Sequence, residues 1–289
     1  MMKYYFHLIK PGIVVGNIMS SIGGFLIASR KHVSYPLFIP MIIGIALIIA
    51  ASCVLNNIID RDIDAVMERT KHRVLVKYNQ LFLNKSILYA VILSISGFLF
   101  LGFTRNFLTV FLAAIGLFIY VGVYSLWMKR RSIYSVIVGS ISGAMPPIIG
   151  YCTVANQFDV GALILLIMFS LWQVPHSYAI SILRLHDYKV AFIPTFPIQK
   201  GVESTKNHMV VYIIGFIVAN IVFTAMGYTS YMFLIIISIM NAWWLYVGLY
   251  GYKIINNDSL WAKKMFFLSL VVIVSLNLLL SLDGILFAT

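Results

Sequence analysis

Polar residues interrupt this chain only at long intervals. Charge-free stretches cover Gly12–Ser29, Ser86–Thr104, Asn106–Met128, Ser132–Phe158, Val160–Leu183, Asn207–Tyr252 and Met265–Leu282, and another lies between Lys31 and Asp60. An α-helix crosses a bilayer in roughly 17–25 residues. The Asn207–Tyr252 stretch is long enough for two crossings, and Gly227-Tyr228-Thr229-Ser230 supplies a turn between them. The pattern predicts nine spanning helices, over 12–29, 36–57, 86–104, 107–127, 132–151, 160–182, 208–226, 230–249 and 265–283.

Two connections on one side are long, 58–85 and 183–207, and they follow helices two and six. That spacing implies two pseudo-repeated four-helix halves with a ninth helix added, around a central cavity open to the inner face. Gly16-Asn17-Ile18-Met19-Ser20 in helix one and Gly139-Ser140-Ile141-Ser142-Gly143 in helix five share a small-residue pattern that lets helices approach closely. The expectation is an all-α polytopic membrane protein, one domain over 1–289.

Composition agrees: 61% of the 289 residues are hydrophobic and 10% charged, against about 25% charged in soluble domains. With the N-terminus placed in the cytoplasm, all of the 21 Lys and Arg except Arg30, Lys31 and Arg105 fall on inner segments. The positive-inside rule then puts the C-terminus outside. The net charge of +12 follows from that topology and from contact with anionic headgroups of membrane lipids. No basic stretch interleaved with aromatics points to nucleic acid. Cys53 and Cys152 lack partner motifs and read as packing residues. The first span has no cleavage pattern and no Arg/Ser-rich leader before it, so it reads as a retained helix in a bacterial plasma membrane.

Against this background the acidic residues stand out. Four of nine lie between Asp60 and Glu68. Asn56, Asp60 and Asp64 fall at i, i+4 and i+8, which on a helix drifts by only about 40° per step. Two carboxylates and an amide oxygen on one face suit a hard divalent cation such as Mg²⁺. Arg61, Arg69 and Arg73 nearby suit the diphosphate that such a cation accompanies. Asp62 points roughly 160° from Asp64 and reads as the solvated member.

Three further groups have two readings each. In Trp172-Gln173-Val174-Pro175-His176-Ser177-Tyr178, His176 is either a hydrogen-bonded structural residue or functional, and Gln173, Tyr178, Arg184 and Asp187 add weight to the second. Pro175 should kink that helix. Tyr120 and Tyr124 followed by Lys129-Arg130-Arg131 are either an interfacial anchor or a diphosphate- or carboxylate-binding element. Gly139 to Pro147 is either a tight packing seam or a small-residue wall for a flat ring, with Pro146-Pro147 expected to break the helix.

These residues resemble a known family. Asn56…Asp60…Asp64 is similar to the first aspartate-rich motif of the UbiA-type intramembrane prenyltransferases. The longer run Asp60-Arg61-Asp62-Ile63-Asp64-x-x-Met67-x-Arg69-Thr70-x-x-Arg73 resembles the haem-farnesylating branch of that family. So do Tyr124-Ser125-x-x-Met128-Lys129-Arg130, Ser142 to Tyr151, Trp172 to Tyr178, Asp187-Tyr188 and Ile193-Pro194. Val74 stands where many relatives have Pro. His176 and Asp187 stand where quinone-type members carry a second Asp-x-x-x-Asp motif.

The resemblance implies farnesyl transfer from farnesyl diphosphate to a vinyl group of haem b, with water added, giving haem O. Haem b is then a substrate and not a prosthetic group. Mg²⁺ is expected on Asn56, Asp60 and Asp64. Arg61, Arg69, Arg73, Lys129 and Arg130 are expected to bind diphosphate or haem propionates, with Arg184 and Asp187 beside the substrates. Tyr120 and Tyr124 would face an allylic cation, and His176 would orient haem or handle a proton. The product would serve a terminal oxidase or a haem A synthase. The rivals are a prenyltransferase acting on a quinone or chlorin precursor, which the His176-type second motif disfavours, a transporter using the carboxylates as an ion site, and a non-catalytic assembly factor. Of the last two, the membrane-edge position argues against the transporter, and the intact acidic triad against the assembly factor.

Overall fold

The computed structural model describes residues 2–78, 80–253 and 257–286. Thirteen α-helices follow one another: α1 Met2–Leu8, α2 Pro11–Ser29, α3 Tyr35–Ile59, α4 Arg61–Val66, α5 Val74–Lys77, α6 Gln80–Gly102, α7 Phe107–Phe118, α8 Ser135–Ala155, α9 Val160–Leu183, α10 Leu185–Val190, α11 Phe196–Ala225, α12 Tyr231–Tyr250 and α13 Asp258–Leu286. Among the described residues nine helical runs are long and apolar enough to cross a membrane: α2, α3, α6, α8, α9, α11, α12 and α13, and the run Phe107–Arg130, which begins as α7. All nine expected spans are present.

Boundaries differ where charge alone had set them. The helix expected from 208 starts at Phe196, and the one expected from 265 starts at Asp258. Charged residues at a membrane edge stay helical when they are paired. Lys206 is buried in α11, and its ammonium meets Asp258 at 2.6 Å and donates to Gly251 O at 2.9 Å. Gly201, inside α11, takes φ 85°, a left-handed value that a side chain would strain. Pro146 and Pro147 do not break α8, which is helical from Ser135 to Ala155. Each proline removes one backbone donor, and the packed neighbours hold the helix across the gap. α9 likewise runs through Pro175.

The pseudo-repeat shows in the packing. α3 lies against α6 as α9 lies against α11, four spans on, and α2 against α3 as α8 against α9. The halves join where α2 meets α8, and α13 closes the ring against α2, α9 and α12. Small residues make the α2–α8 approach possible: a Cβ on Gly24 would lie 1.9 Å from Pro147 O, and one on Gly150 would lie 2.1 Å from Ser21 O. Polar ties fix the register within lipid: Asn277 Nδ2 donates to Ser20 Oγ at 3.1 Å, and Asn106 Nδ2 to Cys152 O at 2.8 Å.

Between α2, α3, α7, α8, α9 and α13 lies a cavity of about 560 Å³. Gly12, Cys53 and Tyr124 line it near the end that carries α4, α5 and α10, called the loop end below, and Ser20 and Asn277 line it deeper. A second, open hollow of about 690 Å³ lies outside the ring between α1 and α6, with only Lys3 and Lys85 charged among its lining residues.

Gly150→Val should lower the thermal unfolding midpoint of the detergent-solubilised protein, because the added atoms meet backbone and not a yielding side chain. The expected loss is about 1–3 kcal/mol, typical of an overpacked interface. An unchanged midpoint would show that α2 and α8 part there without cost.

Candidate active site

The last turn of α3 and the whole of α4 form nearly one helix. Asp60 N bonds Asn56 O at 2.9 Å and Asp64 N bonds Asp60 O at 2.7 Å, so four-residue spacing carries across the joint. Asn56, Asp60 and Asp64 therefore share a face as their spacing predicts, and all three are buried, Asp60 at 2% exposure and Asp64 at 4%. Asp62 faces away at 65% side-chain exposure.

Each buried carboxylate has a cation from another element. Lys129, in the turn Met128–Arg130 at the end of the span from Phe107, pairs with Asp60 Oδ2, and Arg73 Nη1 lies 2.6 Å from Asp64 Oδ2. Asn56 Nδ2 donates to Asp60 Oδ2 at 2.9 Å and to Ser125 Oγ at 3.3 Å, while Asn56 Oδ1 accepts from Lys10 Nζ at 2.8 Å. Asp60 Oδ1 is enclosed without a hydrogen-bond partner. A buried, unpaired carboxylate oxygen beside a second carboxylate and an amide oxygen fits a hard divalent cation. Among the described residues no set of three His, Cys, Asp or Glu converges, so the site offers two carboxylates and the Asn56 amide.

Lys10 and Ser125 are absent from the sequence-level candidates. Lys10 sits between α1 and α2 with φ 50° and ψ 71°, a left-handed conformation that costs a side-chain-bearing residue roughly 1–2 kcal/mol. Burial, with Arg73 adding repulsion, pulls the Lys10 ammonium down to about 8. Only its position before Pro11 at a membrane edge hinted at a role. Ser125 entered only within the Tyr124-to-Arg130 resemblance and had no role of its own, because a fully buried serine inside an apolar run looks like packing.

The span from Phe107 changes character at its loop end. Ile119–Trp127 winds as a π-helix, followed by a tight turn over Met128–Arg130. π-turns cluster at functional sites because they re-aim side chains. Here the segment carries Tyr120, Tyr124 and Ser125. The two tyrosine rings stack at 5.8 Å with 25° between planes, and both line the cavity. A Cβ on Gly139 would lie 3.0 Å from the Tyr124 ring, so only glycine leaves that ring its place.

On the far wall of the cavity, His176 stacks on Trp172 at 4.8 Å, and its Nδ1 lies 2.7 Å from Ser269 Oγ. Gly143 makes room for Gln173, whose Oε1 would be 1.8 Å from a Cβ there.

The remaining candidates brace the site or lie at its rim. Arg130 grips Asp62 with both terminal nitrogens at 2.6 Å and donates to Ile59 O at 2.7 Å. That hydrogen bonding holds the Asp62 carboxyl below its ordinary value. Arg61 donates to Tyr78 O at 2.9 Å. Asp187 accepts from Glu68 N at 3.1 Å, and Ile63 and Met67 pack on Ala191 and Ile193, so the two long connections meet. Arg69 and Arg184 are exposed. Tyr188, in α10, has its hydroxyl pushed up by burial; Tyr124 adds to the rise and Lys129 and Arg69 oppose it.

The model of the UbiA prenyltransferase family matches residues 17–271. The chain is 79% identical over 289 residues to the protoheme IX farnesyltransferase of Blochmanniella pennsylvanica (strain BPEN), covering 100% of this chain and 98% of that one. It is 61% identical to the protein of the same name from Blochmanniella floridana, over 98% of each. Among solved structures, a digeranylgeranylglyceryl phosphate synthase superposes with TM-score 0.79 at 17% identity, covering 98% of each chain. A UbiA homolog from Archaeoglobus fulgidus bound to DMAPP and Mg²⁺ superposes with TM-score 0.65 at 14% identity, covering 96% of this chain and 99% of that one. These two structural likenesses establish the fold.

Asp187→Ala should release the Glu68 amide. Hydrogen bonds to charged groups contribute about 1.5–3 kcal/mol, so amide exchange around Glu68–Thr70 should accelerate at least ~10-fold. Unchanged protection would mean that the Met67–Ile193 contact alone holds the two connections together.

Proposed function

The chain belongs to the UbiA prenyltransferase family. From that premise we propose that it transfers the farnesyl group of farnesyl diphosphate to a vinyl group of haem b, with addition of water, giving haem O and diphosphate. The observation that carries this reading is a buried carboxylate pair, with cations around it, joined through Asn56 and Ser125 to the segment whose Tyr120 and Tyr124 line an apolar cavity that also presents a histidine. Full-length likeness to proteins named protoheme IX farnesyltransferase supports haem as the acceptor.

Asn56, Asp60 and Asp64 would hold Mg²⁺. When bound, Mg²⁺ neutralises the diphosphate and stabilises charge as the leaving group departs. Lys129 and Arg73 stand beside the same carboxylates and supply donors for diphosphate oxygens. Arg69, exposed at the rim, would meet the diphosphate or a haem propionate. As the ester C–O bond breaks, its electron pair leaves with the diphosphate. The Tyr120 and Tyr124 ring faces then lie where they stabilise the allylic cation. The vinyl group adds its electron pair to that carbon, and the resulting cation captures water, which gives up a proton. The cavity walls keep water from the first cation until the new C–C bond has formed.

The chain acts as one domain, in a bacterial plasma membrane with the loop end in the cytoplasm. That side holds most of the basic residues, and farnesyl diphosphate, being charged, reaches the site from water. A terminal oxidase or a haem A synthase would receive the product.

Purified protein in detergent, given haem b, farnesyl diphosphate and Mg²⁺, should yield a pigment of the mass of haem O, and EDTA should abolish it. Prenylation of a phenolic acid with no haem product would refute the assignment. Asp60→Ala and Asp64→Ala should each lower turnover at least ~10²-fold, the scale of losing one electrostatic stabiliser, in protein that still inserts. Undiminished turnover in both would remove the metal role from this pair.

A further inference from the structure

Ser269 settles which nitrogen of His176 carries the proton. A serine hydroxyl has one hydrogen and two lone pairs. Ser269 Oγ lies 2.6 Å from Phe266 O, and a carbonyl oxygen only accepts, so the hydroxyl hydrogen is committed there. The 2.7 Å contact with His176 must then run the other way, from Nδ1–H to Ser269 Oγ. In the neutral imidazole this leaves Nε2 without a proton, holding a lone pair. Nε2 makes no hydrogen bond among the described residues, and it is not one of their enclosed unpaired polar atoms. It is therefore open to space, and the space His176 borders is the cavity.

The ring is also held in place. Trp172 stacks against it with planes 23° apart, and Trp172 Nε1 donates to Ser269 O at 2.9 Å, so one residue of α13 anchors both rings. Phe266 closes on the other side at 5.1 Å. A histidine with one nitrogen tied to a fixed acceptor and the other offering a lone pair to a cavity is arranged as a metal ligand with its outer support. No carboxylate lines this cavity, so a bare hard cation would find no oxygen charge there. An iron already charge-balanced by its own ring nitrogens needs only the one axial donor.

We infer that His176 Nε2 coordinates the iron of the haem acceptor, and that Ser269 is the positioning residue that fixes the tautomer. This rests on haem being the acceptor. Coordination forms a bond from the imidazole lone pair to iron and moves no proton, because Nδ1 keeps its own. Its consequence would be positioning: a porphyrin pinned at its centre by His176 is held within the cavity that Tyr120 and Tyr124 also line.

Ferric haem b titrated into the detergent-solubilised protein tests this without turnover, with retained haem counted after gel filtration and the Soret band and electron paramagnetic resonance recorded. The wild type should show an imidazole-ligated spectrum. His176→Ala should lose it while still retaining haem at a higher concentration, and added imidazole should restore it. His176→Leu serves if the alanine variant fails to insert. Ser269→Ala should keep the ligation but weaken haem binding about 10-fold, the scale for losing a ligand's outer hydrogen bond. A His176 variant with full haem occupancy and an unaltered spectrum overturns the ligation and leaves the acceptor standing. A wild type that retains no haem overturns the acceptor reading and the ligation with it.

Discussion

Two carboxylates buried at the edge of an apolar bundle set the terms for everything around them. Removing a charge from water is expensive, and leaving a buried one without its partner costs about 3–5 kcal/mol. Asp60 and Asp64 are therefore answered by Lys129 and Arg73, which come from separate parts of the chain. Lys129 arrives only because the span from Phe107 ends in a π-helix and a tight turn. Arg73 arrives because the connection after α4 folds back, with Thr70 Oγ1 donating to Asp64 O at 3.1 Å. Charge balance at one point thus dictates the path of two segments.

Asp159 and Asp283 show what carboxylates do here when they cap helices. Asp159 accepts from Ala162 N at 3.0 Å and from the Tyr151 hydroxyl at 3.0 Å, starting α9. Asp283 accepts from Ser230 N at 2.7 Å, ahead of α12. These meet neutral donors at helix ends. Asp60 and Asp64 instead gather cations beside a cavity, and that difference separates a site from a cap.

Much of this was legible in the sequence, for physical reasons. Span number and the rough span limits follow from charge-free length, because a bilayer imposes it. The shared face of Asn56, Asp60 and Asp64 follows from helical spacing, and the exposed Asp62 from the same geometry. The rest needed the third dimension. Nothing local marks Ile119–Trp127 as a π-helix, since Tyr120 and Tyr124 keep ordinary four-residue spacing. The double proline was expected to break α8 and does not, because packing against α2 outweighs the missing backbone donors. Arg61, Arg73 and Arg130 look alike in sequence, and only the structure shows that they meet Tyr78 O, Asp64 and Asp62 respectively. The contacts of Lys10 and Ser125 with Asn56 were invisible because they lie 46 and 69 positions from it.

Leu8 and Lys10 are tied to the end of α3 that carries Asn56 and Asn57. Asn57 Nδ2 holds Leu8 O at 2.9 Å, Lys10 Nζ holds Asn56, and Leu8 packs with Val54, Leu75, Phe82 and Ala90. Neighbouring amides of α3 thus grip the chain on both sides of Ile9. The two ends of the protein are consequently unequal as handles. A purification tag or fusion partner on the N-terminus pulls on the segment that supplies a ligand to Asn56. Leu286, the last described residue of α13, lies at the other end of the bundle, where a linker puts no load on the chemistry.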